Sequence, residues 1–197
     1  MNEPRWKNTN YEWNGGNSEG RSVVNEYNKC FVETVRATGG NNRYRALMIP
    51  TYAASASGLD GFTVPDDKSL IVSVHAYSPY HFAMNENGTT TFDPDDSNST
   101  RELEWLSDTL YDSFISKGVG AIIGECGTVN KNNLTDRLNW AKYFPKVFGE
   151  NGIPVFLWDN NAYGYGNEIF GLIHRDTLTW EYPTYIKALV KAAKQTK

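Results

Sequence analysis

The feature that most constrains this chain is an alternation along its length of apolar β-type runs with amphipathic helical stretches. A strand that is apolar at nearly every position is buried on both faces, which happens where helices cover both sides of a parallel sheet. Four runs qualify as strands: 45–52, 70–77 (LIVSVHAY), 121–127 (AIIGECG) and 154–159 (PVFLWD). Helical periodicity occupies 21–37, 101–117, 134–148 and 182–194. Gly39-Gly40, Gly118 and Gly149 offer left-handed stops, Ser99 with Glu102 offers a capping box, and Asn133 offers a cap for the third helix. The expectation is one α/β catalytic domain over residues 1–197, with parallel strands and flanking helices.

Two long polar connections, 53–69 and 78–100, interrupt the regular spacing. Connections of that length in a compact domain commonly carry function. The second contains Asp93-Pro94-Asp95-Asp96, whose carboxyls lack calcium-loop spacing and read as a solvated turn.

Composition narrows the ligand. The net charge of −4 leaves no broad basic surface for a phosphate backbone or an anionic membrane, so neither nucleic acid nor lipid is expected as a partner. No apolar run reaches the roughly 18 residues of a spanning helix, and Met1 to Arg5 carries no signal-peptide core. Cys30 and Cys126 are too few for a disulfide framework, have no metal-ligand spacing, and are expected to be inert buried thiols. No metal or cofactor is expected. Aromatic residues make up 14% of the chain, many beside Gly/Asn-rich stretches, and flat rings with a polar handle suit the faces of a neutral sugar as well as a core.

Two glutamates stand where a parallel sheet presents its chemistry, at the carboxyl ends of strands. Glu125 closes the apolar run Ala121-Ile122-Ile123-Gly124, and a carboxylate there is costly unless paired or functional. Glu3 sits in Asn2-Glu3-Pro4-Arg5. Hydrolysis of a glycosidic bond with retention uses two such carboxyls about 5 Å apart, one to protonate the leaving oxygen and one to attack the anomeric carbon. His75 and Tyr77 are two apart at a strand end, so both side chains can point the same way. The Tyr77 phenol could then donate to a nucleophile's oxygen. Trp158 ends the last strand, placed to floor a pocket, whereas His81 and His174 have no spacing to any partner.

Asn2-Glu3-Pro4, His75-x-Tyr77, Gly124-Glu125-Cys126-Gly127 and Trp158, in this order and at strand ends, resemble the signature of glycoside hydrolase family 5, whose members are (β/α)8 barrels. The resemblance implies a partial, half-barrel-like TIM fold running from the end of the fourth barrel strand onward, without the first three to four βα units. It implies Glu3 as general acid/base, Glu125 as nucleophile, Asn2 on the substrate 2-hydroxyl, His75 and Tyr77 tuning the carboxylates, and Trp158 stacking beneath the sugar. The implied activity is a secreted retaining endo-β-1,4-glucanase acting on β-glucan polysaccharide. Xyloglucan, mixed-linkage glucan and mannan are neighbouring substrates, and the alternative is a noncatalytic glycan-binding or truncated remnant. An open half barrel has two edges and an uncovered inner face. Either a homo-oligomer or a complementary N-terminal half is expected to cover them.

Overall fold

The computed structural model describes residues 1–164 and 166–196. Its helices are α1 (Ser18–Ala37), a single turn α2 (Tyr80–Ala83), α3 (Ser97–Ser113), α4 (Leu134–Glu150) and α5 (Pro183–Ala193). Strands β1 (Leu47–Pro50), β2 (Leu70–Ala76), β3 (Gly120–Cys126) and β4 (Val155–Leu157) form one sheet in the order β1-β2-β3-β4, and β5 (Ile173–His174) and β6 (Thr179–Trp180) form an antiparallel hairpin. Leu47 pairs in parallel with Leu70 and Pro50 with Ser73, while Ile123 pairs in parallel with Val155. Each expected strand is present; β1, β2 and β4 are shorter than their apolar runs, and β3 keeps seven residues, shifted by one.

The chain falls into two compact units, residues 1–75 with 114–122, and residues 76–113 with 123–197. In the first, α1 starts at Ser18 because the Asn17 side chain accepts a hydrogen bond from the Gly20 amide at 2.8 Å. Val24, Asn28 and Val32, four apart, form its buried stripe, and Asn28 Nδ2 donates to the Pro50 carbonyl at 2.9 Å where β1 ends. Arg36 pairs with Asp67 and also donates to the Asn42 and Arg45 carbonyls, tying the end of α1 to the approach to β1. Beneath it all lies Tyr52, buried beside Val24 and Ala53.

In the second unit, α4 carries the core. Trp140, Phe144 and Phe148 are fully buried on one face; the Trp140 and Phe144 rings lie 4.4 Å apart, and Tyr185 of α5 stacks parallel to Trp140. Leu103, Leu106 and Leu110 of α3 bury the helix stripe that the sequence spacing requires. The Arg137 guanidinium, also buried, lies over the rings of Tyr182 and Tyr185 and donates from Nε to Thr128 Oγ1 at 3.1 Å.

Several capping expectations change. Helix α3 begins two residues before Ser99, with Asp96 Oδ1 accepting from the Asn98 amide, and Ser99 Oγ instead accepts from the Asp93 amide. The acidic turn is thus consumed in local caps. Asn133 stands at the start of α4, but its side chain accepts from the Lys131 amide and donates to the Thr90 carbonyl, serving the long loop rather than the helix. Helix α4 runs through Gly149 to Glu150, and Gly152 (φ 71°) takes the left-handed position. Cys126 is buried as expected, whereas Cys30 is exposed on α1. No helix among the described residues is long and apolar enough to cross a membrane.

Candidate active site

In the first unit, Glu3 is half-buried, and its Oε1 lies 2.9 Å from His75 Nδ1, on a ring whose side chain is only 7% exposed. Its other oxygen lies 3.6 Å from Arg5 Nη1, which also donates to the Glu3 carbonyl at 3.0 Å. Arg5 is held in turn by Glu12, whose Oε1 accepts from Nε at 3.1 Å and whose Oε2 accepts from the Asn8 amide. The Asn8 amide and then the Arg5 guanidinium hold the Glu12 carboxyl below the usual carboxylate range, against a smaller opposing effect of burial. Asn2 is exposed beside Glu3. The segment is therefore pinned at its Glu, although only His75 among these partners follows from the strand-end pattern.

In the second unit, Tyr77 Oη donates to Glu125 Oε2 at 2.9 Å. The Tyr77 ring packs on Phe170, with centroids 5.2 Å apart, and Phe170 in turn crowds Gly127, where an added Cβ would sit 3.1 Å from the ring. Both Tyr77 and Glu125 are half-buried at their strand ends. Trp158 directly follows β4 and donates its amide to the Cys126 carbonyl at 2.8 Å, so the ladder continues one step beyond the strand. Trp158 is 39% exposed.

The segment after Trp158 holds a network that reading by motif missed. Asp159 Oδ2 accepts from the amides of Leu172 and Ile173 at 2.6 and 2.9 Å, and Oδ1 pairs with Arg175 at 2.6 Å. Burial acts to raise the Asp159 pKa, but those amides and the guanidinium outweigh it and hold the carboxyl below its usual value. Asn160 Oδ1 accepts from the amides of Ala162 and Phe170. The acid-amide pair Asp159-Asn160 was the available signal, since such side chains fold loops onto their own backbone. His174, expected to lack a partner, has Nε2 2.5 Å from Glu181 Oε2 and stacks on Tyr163 at 4.2 Å. The β5–β6 hairpin brings them together, which sequence spacing alone does not reveal. His81 is exposed, with Nδ1 3.3 Å from Asn85 Nδ2.

Comparison with known proteins extends this picture. The family model for cellulase, glycosyl hydrolase family 5, matches residues 1–164. Endoglucanase A of Clostridium longisporum is 46% identical over 98% of this chain and 38% of its own length, and endoglucanase B of Neocallimastix patriciarum is 45% identical over 97% and 40%. Among solved structures, a broad specificity endoglucanase from Clostridium longisporum superposes with a TM-score of 0.94 at 44% identity, covering all of this chain and 57% of that one. Another, from Ruminococcus champanellensis with bound cellotriose, gives 0.89 at 46% identity, covering 96% and 55%. The chain thus spans about two fifths of these curated relatives and somewhat over half of these solved chains. With the family model matched over most of its length and four strands flanked by helices in the family's order, the chain belongs to the cellulase family, glycosyl hydrolase family 5.

Proposed function

We propose that the chain carries the catalytic carboxylates of a retaining endo-β-1,4-glucanase. The observation that carries this reading is the hydrogen bond from Tyr77 Oη to Glu125 Oε2. A neutral phenol donor steadies a carboxylate and orients one of its oxygens without adding the positive charge that would blunt it as a nucleophile. In the first step a Glu125 oxygen attacks the anomeric carbon, the glycosidic C–O bond breaks, and Glu3 gives its proton to the departing oxygen. In the second step Glu3 takes a proton from water, the water oxygen bonds to the anomeric carbon, and Glu125 departs with the electrons of the glycosyl-ester bond. His75 beside Glu3 orients that carboxyl through both steps, Trp158 stacks beneath the sugar, and Asn2 holds its 2-hydroxyl. A polymeric substrate implies action outside the cell.

The test is reducing-sugar release from carboxymethylcellulose, mixed-linkage glucan, xyloglucan and mannan by this chain and by Glu125→Gln. The variant is expected to be inactive on all four while its fold is unchanged by circular dichroism. A second reading, glycan binding without hydrolysis, draws on the exposed Trp158 ring. Glucan retention without sugar release from either form would support it.

A further inference from the structure

We infer that Cys126 is a positioning residue for the nucleophile: its buried thiol fastens the irregular step of the sheet that carries Glu125, and so holds Glu125 and Trp158 on one frame. The inference rests on the glucanase reading above. Ile123 of β3 pairs with Val155 of β4 and Cys126 pairs with Leu157, so three steps along β3 are matched by two along β4. Gly124 and Glu125 together therefore oppose Phe156 alone, the two-against-one count of a β-bulge. A bulge breaks the hydrogen-bond ladder locally and re-aims the side chain it carries. Here that side chain is the candidate nucleophile.

Cys126 bridges the two strands at this step. Its Sγ donates to the Phe156 carbonyl at 3.2 Å, and its own carbonyl accepts from the Trp158 amide at 2.8 Å. One residue thus grips the β4 backbone on both sides of Leu157, directly after Glu125 on its own strand and directly before Trp158 on the next. The side chain is fully buried, and burial pushes the thiol pKa up, so the sulfur keeps its proton and remains a donor. The position suits a cysteine in particular. A thiol is a small apolar group that still carries an S–H, whereas an aliphatic side chain would fill the space and leave the Phe156 carbonyl without this donor. Tyr77 fixes one oxygen of the Glu125 carboxylate, but a hydrogen bond at the tip does not set the backbone from which that carboxylate hangs. An attacking oxygen must be placed to a fraction of an ångström against the sugar, and the sugar rests on Trp158 in this reading. The frame that joins the two residues therefore bears on the rate.

The experiment compares the parent chain with Cys126→Ala and Cys126→Ser, measuring kcat and KM on mixed-linkage glucan and hydrogen exchange of the Trp158 amide by NMR, well below the thermal midpoints of all three. In Cys126→Ala the Trp158 amide is expected to exchange about tenfold faster and kcat to fall about tenfold, the scale of one hydrogen bond, with KM changed less than kcat. Both effects should be largely reversed in Cys126→Ser, whose hydroxyl keeps a donor. An unchanged kcat in Cys126→Ala, or Trp158 exchange alike in all three chains, would overturn the positioning role while leaving the glucanase reading standing. Equal losses in the Ala and Ser variants would assign the sulfur to packing volume and overturn the role likewise. A parent that folds by circular dichroism but releases no sugar would overturn the glucanase reading and the positioning role with it, and exchange that still follows the thiol would then leave Cys126 a fastening between strands and nothing more.

Discussion

At the scale of single residues, each candidate carboxylate has a dedicated partner of a different kind, His75 for Glu3 and Tyr77 for Glu125. The His-x-Tyr spacing made this pairing readable, because residues two apart on a strand share a face. Tyr77→Phe keeps the ring on Phe170 and removes only the donor. It should lower the rate of glucan hydrolysis about 10- to 100-fold, the scale of one hydrogen bond to a charged group, as read by initial rates on carboxymethylcellulose. Beyond the local Asp159-Asn160 pair, little pointed to the role of Asp159, because its partners, two backbone amides and the Arg175 guanidinium, lie 13 to 16 residues further on at no spacing that marks them. Its pKa is held below the unfolded value, so its ionised form contributes stability above the ordinary carboxylate pKa of about 3.9, and that contribution is lost as pH falls through the lower folded value. Asp159→Asn should therefore be less stable than the parent by about 1 kcal/mol at pH 7, and the gap should close in acid. Thermal midpoints measured from pH 7 down to pH 2 check both parts.

At the scale of elements, apolar runs located the four strands of the parallel sheet and helical periodicity located the four long helices, because burial against a parallel sheet writes itself into consecutive side chains, whereas the short β5–β6 hairpin left no such run. Helix starts were less legible. Ser99 and Asn133 have the chemistry of caps, but Asp93 and the long loop compete for their side chains, and only the folded loop decides that competition. The 78–92 loop is in fact clamped onto α4. Trp140 Nε1 donates to the Ser78 carbonyl at 2.9 Å, Asp136 accepts from the Phe92 amide, and Lys131 Nζ donates to the carbonyls of His81 and Thr89. Trp140→Phe would leave the Ser78 carbonyl unpaired in the core and should cost about 1–3 kcal/mol in urea unfolding. The segment after β4 closes as tightly, since a Cβ on Gly171 would lie 2.3 Å from the Ala162 carbonyl oxygen. Gly171→Ala should cost about 1–3 kcal/mol by the same measurement. Because that closure positions Phe170 against Tyr77, hydrolysis should fall by more than the lost stability alone explains, and an unchanged specific activity in folded Gly171→Ala would refute the link.

At the scale of the whole molecule, the same physics that made the strands legible leaves apolar surface uncovered. Val23, Tyr27 and Phe31 lie four apart on α1, a stripe of the spacing that packs against a neighbouring element, yet all three are exposed. Met48 in β1 and Phe156 in β4 are exposed too, each half accessible on a strand. The solved relatives match this chain over little more than half their length, and the first three to four βα units of the family barrel are the expected cover for these faces. A polypeptide with those units, taken from the Clostridium longisporum endoglucanase and expressed separately, should co-elute with this chain in equal amounts. At a hundredfold excess over its dissociation constant it should stabilise the chain by about 2.7 kcal/mol. Glucan hydrolysis should rise with the fraction bound, because closing the sheet removes the edges on either side of the candidate carboxylates. Light scattering on the chain alone supplies the contrary outcome: a dimer whose thermal midpoint ignores the added polypeptide would mean that copies of this chain cover one another, and that any activity belongs to the dimer.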